Sequence, residues 1–159
     1  MAIQLRTLVI SSLGELESVQ ECNTRFSRDK YVQGVIELDI NHIRILGCKE
    51  GDTIDALWSL LVTALENFCD GRDFVMPFPE RCFVLSLSRL SGGRVVVKLE
   101  SDVERRVAVG DARDVVEALA KGAVEFFQAV LRTSPKEEWS YRRDLNRATL
   151  ILTGGCDRS

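Results

Sequence analysis

The sequence predicts an α+β fold, in which a mostly antiparallel sheet built from hairpins carries two main helices on one face. Three observations support this fold class. Short β-branched segments are joined by tight turns, two longer segments carry apolar residues at helical spacing, and these segments alternate as strands, helix, strands, helix. Hairpins covered by helices on one side are the natural packing for that order.

The composition is typical of a globular protein and argues against two classes of partner. The chain has 159 residues, 45% of them hydrophobic and 28% charged, with a net charge of −3. Such a chain suits one domain, which we place at residues 1–153 and follow with a disordered tail at 154–159. No basic field favours nucleic acid, and no apolar run favours a membrane span. Since no leader precedes the first strand, a cytoplasmic location is expected.

Two strands and a tight turn are predicted in the first third of the chain. Residues 3–10 read as a strand, whereas residues 11–30 are polar and irregular, with one short helix as an option around Leu13 to Val19. In the stretch ELDINHIRIL the apolar residues occupy even positions before Asn41-His42 and odd positions at Ile43 and Ile45 after it. This switch is what a two-residue β-hairpin requires. The resulting register makes three pairs: Ile40 with Ile43, Asp39 with Arg44, and Leu38 with Ile45.

The first helix is predicted to start at Asp52 or Thr53 and to end at Gly71, where glycine adopts the left-handed conformation. Its apolar residues recur at helical intervals from Ile54 to Phe68. The polar residues between them are expected to face water: Asp55, Ser59, Thr63, Glu66 and Asp70.

In the second half of the chain, the sequence predicts a hairpin, a strand and a helix, followed by an end that allows two interpretations. A three-residue loop at 91–93 pairs Leu87 with Val97 and Leu85 with Leu99, and residues 105–109 read as a further strand. Asp111 is predicted to cap the second helix. Residues 134–137 resemble another helix start, and residues 148–153 are interpreted either as a last strand or as part of an ordered tail.

Few residues offer catalytic chemistry. The single histidine, His42, is placed at an exposed hairpin tip, and five cysteines without close pairs predict reduced thiols, with Cys69 and Cys82 packed as small hydrophobic residues. No metal site and no cofactor are expected. The alternative to a binding protein is a small enzyme or ligand-binding domain with a carboxylate- and thiol-lined pocket. Its candidate residues are Cys48, Cys69, Glu37 and Asp39.

A partner-binding site is predicted at the end of the first helix. Glu66, Asp70 and Asp73 form an acidic patch there, and the next loop carries Phe74, Met76 and Phe78. These apolar side chains either tuck under the sheet or stay partly exposed, and both alternatives remain open at this point. Acids beside apolar anchors suit recognition of a basic protein.

Four motifs lie between residues 52 and 132: Trp58–Leu61, Phe78-Pro79, the hairpin loop at 91–93 and Phe126-Phe127. This part of the chain resembles small bacterial proteins of the polymorphic-toxin immunity class or uncharacterised relatives of them. The chain departs from the pattern at Glu80-Arg81, where the family has a polar residue and another proline. The resemblance implies a non-enzymatic protein-binding module that neutralises a toxin, so the expected partner is a basic toxin domain. It assigns no functional residue.

Overall fold

The α+β fold is confirmed by a computed structural model, which describes residues 2–134 and 138–154. Within these ranges the chain forms strands and helices in this order: β1 Ile3–Ile10, β2 Leu16–Ser18, β3 Gln33–Ile40, β4 Ile43–Leu46, β5 Asp52–Thr53, α1 Ile54–Cys69, β6 Phe74–Pro77, β7 Val84–Leu90, β8 Arg94–Glu100, β9 Arg105–Asp111, α2 Ala112–Thr133 and α3 Glu138–Gly154.

The strands form two antiparallel sheets. The first has the order β2-β1-β3-β4, with β5 also paired to β3, and the second has the order β6-β7-β8-β9. The sheets meet where β4 lies beside β8 and β9. At this junction the side-chain amide of Asn41 donates to the carbonyl of Val109 over 2.9 Å.

The first predicted hairpin is confirmed apart from one pair. Asn41 and His42 have φ of 48° and 67°, values that Asn and His tolerate better than most residues. Ile40 pairs with Ile43 and Asp39 with Arg44, but a β-bulge then shifts the register. Leu38 therefore pairs with Leu46 and not with Ile45, because two residues of one strand oppose one of the other at a bulge.

The second hairpin has the predicted register, with Leu87 opposite Val97 and Leu85 opposite Leu99. Its loop is a single 3₁₀ turn at Ser91–Gly93. The predicted strand at 105–109 is confirmed as β9, and the Asp111 side chain caps α2 by accepting from the Asp114 amide.

The optional helix near Leu13 is absent from the described structure of that segment. Residues 16–18 instead pair with β1, and Leu13 lies exposed in the preceding turn. The irregular chain that follows is anchored by buried Val19, Cys22 and Phe26.

Of the two alternatives for residues 148–153, the strand was wrong, since these residues belong to α3. Helix α3 packs against both α1 and α2 and so covers much of the polar side of α1. Asp55 and Ser59 were expected to face water, but Asp55 is buried and Ser59 is half-buried. Gly154, which was assigned to the disordered tail, is the last residue of α3. The rest of the predicted tail lies outside the described residues. Residues 135–137 of the predicted helix start also lie outside them.

The core lies where α2 crosses β1 and α1. Trp58 is fully buried there, and its indole nitrogen donates to the Thr7 hydroxyl over 3.1 Å. Its ring stacks on Phe126 at a centroid distance of 6.2 Å. Gly122 of α2 fits against this ring, because a Cβ atom at that position would lie only 2.8 Å from it.

Candidate functional site

The apolar residues of the predicted site point into the core. Residues 74–77 form strand β6, so successive side chains alternate between the two faces of the sheet. Phe74, Met76 and Phe78 are buried, whereas Val75 is exposed. The first of the two open alternatives is therefore correct, and these three side chains are not available to a partner.

The acidic residues of the predicted site are balanced by arginines. Glu66 accepts from Nε of Arg147 over 2.9 Å, and Asp70 pairs with Arg72 over 3.2 Å, while Asp73 is exposed. Arg147 belongs to α3, 81 residues after Glu66 in the chain. The surface is thus mixed in charge and not the acidic patch that the local sequence indicated.

The carboxylates of the alternative, enzymatic prediction are held in ion pairs. Glu37 is buried on the outer face of the first sheet, 2.7 Å from Arg6 and 2.9 Å from Arg44. Asp39 accepts from Nε of Arg44 over 2.7 Å, and this hydrogen bond lowers the pKa of Asp39. A carboxyl group with a lowered pKa is a weaker base, so this pairing does not favour proton transfer.

The cysteines depart from their predicted states. Cys22 is a buried free thiol and Cys48 an exposed one, but Cys82, expected to pack as a hydrophobic residue, is exposed as well. Cys69 is buried as predicted, although it is disulfide-bonded and not a reduced thiol. Cys156 lies outside the described residues. In the described ranges, no group of three or more His, Cys, Asp or Glu side chains is placed to hold a metal ion.

A groove between α1, α3 and the irregular segment around residue 28 carries an exposed tryptophan. This first groove has a cavity volume of about 590 Å³. Trp139 is 75% exposed, and Leu60, which is 41% exposed, lines the same groove. The groove is lined by Arg28, Asp29, Ala56, Ser59, Leu60, Trp139, Ser140 and Arg143.

A second groove is lined by the next residues of the same irregular segment. Its cavity volume is about 660 Å³, and Tyr31, 73% exposed, lines it together with Ile10 and Leu13. Residues 28–29 line the first groove and residues 30–33 the second, so one stretch of chain forms a wall of both. We call the two grooves and this shared wall the double groove.

The shared wall is fixed to the helices through Arg28. Its guanidinium donates to Ser140 and Ser59, each over 2.9 Å, and to the Asp144 carboxylate over 2.7 Å. The same guanidinium lies over the ring of Tyr141, 4.3 Å from its centroid. These contacts join residue 28 to α1 and α3, which gives an otherwise irregular segment a defined position.

Two buried carboxylates lie behind Arg28. Asp144 is fully buried and also accepts from Arg147 over 2.9 Å and from the Ser59 hydroxyl over 2.6 Å. Asp55 accepts from the Tyr141 hydroxyl over 2.8 Å, and burial raises the pKa of Asp55. A buried charge needs such partners, because desolvation otherwise exceeds its stabilising interactions.

The double groove was not predicted from the sequence. The helix start predicted at residues 134–137 gave no indication of a site at Trp139, and residues 11–30 read as a polar, irregular stretch with one optional short helix. The one available signal was that Leu13 and Tyr31 are large apolar residues in a polar segment. The apolar residues of that segment do not keep a helical or strand spacing throughout, so the pattern indicates no core for these two side chains to face. That signal is weak, because single exposed apolar residues are common on protein surfaces.

Comparison with known proteins identifies no relative: no family model, no curated protein and no solved structure matches the chain. The resemblance to the immunity class therefore stays a prediction from the sequence. None of the helices in the described part of the chain is long and apolar enough to cross a membrane.

Proposed function

We propose that this protein is a non-enzymatic protein-binding module that holds its partner in the double groove. One observation carries the proposal: two largely exposed aromatic side chains, Tyr31 and Trp139, line the two grooves that share one braced segment. Tyrosine and tryptophan are enriched among the residues that dominate binding energy in protein interfaces.

The framework of the double groove supports this function. Trp139 and Leu60 lie on helices, and the shared wall between the grooves is fastened to these helices by Arg28. A surface held in place before binding loses less conformational entropy when a partner docks. The exposed apolar groups thus lie on a surface that is already ordered.

The concrete form of the proposal is an immunity protein that neutralises a bacterial toxin. Its support is the sequence resemblance over residues 52–132. In this form the double groove would contact the toxin and block its action by binding alone.

Co-purification tests the proposed function. We would recover the tagged protein from the cell that makes it, and compare it with a variant that combines Tyr31→Ala and Trp139→Ala. We expect a stoichiometric protein partner with the wild type, and a loss of at least about tenfold with the double variant, given typical effects of such residues.

Val103→Ala is the matched control, because Val103 is 94% exposed in the turn between β8 and β9 and lies outside both grooves. The control should retain the partner. Equal recovery of the partner by the double variant would refute the double groove as the binding site. Recovery of a small molecule without any protein would favour the ligand-binding alternative.

A further inference from the structure

The charge of the double groove is opposite to that of the whole chain. The protein has a net charge of −3. Four cations line the two grooves against two carboxylates, and these residues are Arg25, Arg28, Lys30, Arg143, Glu17 and Asp29. Buried Asp144 and Asp55 balance Arg28 from inside, so the outward positive charge comes mainly from the other three cations.

Arg28, which belongs to the shared wall, also brings hydrogen-bond donors to the first groove. A guanidinium has five N–H groups, and Arg28 directs three hydrogen bonds to acceptors among the described residues. Its side chain retains 30% of its exposure. A carboxylate accepts from a guanidinium more strongly than a neutral oxygen does, so the exposed part of Arg28 suits a carboxylate.

Arg143 places a second guanidinium next to the apolar part of the same groove. It lies 6.0 Å from the centroid of the Trp139 ring and its Nε lies 3.8 Å from the buried Asp144 carboxylate. Its side chain is 61% exposed. The first groove therefore presents two exposed apolar side chains, Leu60 and Trp139, together with the cationic side chains of Arg28 and Arg143.

We infer that the partner is acidic where it meets the double groove, and that it places an apolar side chain between Leu60 and Trp139 and a carboxylate against Arg28 and Arg143. This inference rests on the proposed function and specifies the chemistry of the partner. It replaces the basic partner predicted from the sequence, because Glu66 and Asp70 are paired with arginines.

A pair of probe peptides tests the inference without the natural partner. One is a six-residue acetylated peptide of alternating aspartate and leucine, and the other has lysine in place of aspartate. The indole fluorescence of Trp139 reports binding, because the other tryptophan, Trp58, is fully buried. We expect the aspartate peptide to bind at least about tenfold more tightly at low salt, with the preference falling as salt rises.

Charge reversal provides the second arm. A variant that combines Lys30→Glu and Arg143→Glu should lose the preference for the aspartate peptide. The control combines Arg94→Glu and Lys121→Glu, which change two exposed residues outside both grooves. The control makes the same change in net charge and should keep the preference. Equal binding of both peptides, preference for the lysine peptide, or no binding of either would overturn the inference. Even after such a result with the peptides, the proposed function would still be supported if the variant with Tyr31→Ala and Trp139→Ala no longer co-purified the natural partner.

Discussion

Arg106 forms an ion pair with Glu50 that joins the two sheets, with 2.7 Å between Nη2 and Oε1. The Glu50 carboxylate is buried, and its other oxygen accepts from the Gly47 amide over 2.7 Å. Arg106 also donates to the carbonyl of Ile45 in β4. This one side chain of β9 therefore neutralises a buried carboxylate in the loop after β4 and donates to a backbone carbonyl of β4.

Removal of Arg106 should destabilise the protein strongly. Arg106→Met leaves the Glu50 charge buried without its cation, so we expect a loss of about 3–5 kcal/mol in the free energy of unfolding. Chemical denaturation measures it. Arg105→Met is the control, because Arg105 is largely exposed and should cost less than about 1 kcal/mol. Equal losses for the two variants would contradict a structural role for the pair.

Asp144 should be needed to order the shared wall of the double groove. Asp144→Ala removes the acceptor that Arg28 and Arg147 share, and we expect it to cost about 3–5 kcal/mol of unfolding free energy. Hydrogen exchange should show faster exchange in residues 28–33, because Arg28 loses its strongest contact. Asp29→Ala, which removes an exposed carboxylate next to Arg28, should leave both quantities nearly unchanged. Unaltered hydrogen exchange of residues 28–33 in Asp144→Ala would show that Asp144 does not hold the shared wall in place.

Gly122→Ala tests packing against helix propensity. Alanine should stabilise an exposed helix position by up to about 1 kcal/mol over glycine. At this position, however, the new Cβ would lie 2.5 Å from Leu5 and 2.8 Å from Trp58. We expect a net loss of about 1–3 kcal/mol from overpacking, measured by thermal or chemical unfolding. Lys121→Ala, one residue earlier and exposed, should change stability by less than about 0.5 kcal/mol.

Asp55 should make the stability depend on pH in a defined direction. Burial raises the pKa of Asp55 above its ordinary value of 3.8, so the folded protein retains this proton at a pH where the unfolded chain releases it. Stability therefore falls as pH rises from 3.8 through the raised value. Asp55→Asn, which cannot ionise, should gain stability relative to the wild type over the same range. Unfolding free energies measured from pH 3 upward check this, and a relative loss would contradict it.

Local patterns predicted the parts of the fold that depend on neighbouring residues. The Asn41-His42 turn, the pairing of Leu87 with Val97 and the Asp111 cap all follow from a few adjacent side chains. The bulge that moves Leu38 opposite Leu46 could not be predicted in this way, because it adds a residue without changing the apolar pattern.

The site was less predictable because its contacts join distant parts of the chain. A helical period shows which residues of α1 are polar, but it does not show that α3 covers Asp55 and Ser59. The same limit applies to Glu66, whose arginine partner lies 81 residues away. Residues 148–153 allowed two interpretations, a strand or part of an ordered tail, since their threonine and isoleucine content also suits a strand.

The order of synthesis determines when the double groove is complete. Arg28 bonds to Asp144, 116 residues later, and the Phe26 amide donates to Ser134, 108 residues later. While α3 is still inside the ribosomal exit tunnel, the shared wall thus keeps the contact of Arg28 to Ser59 of α1 but lacks the contacts to Ser140 and Asp144. If the double groove is the binding surface, its first groove is complete only after α3 has emerged, so binding there would have to follow the synthesis of α3.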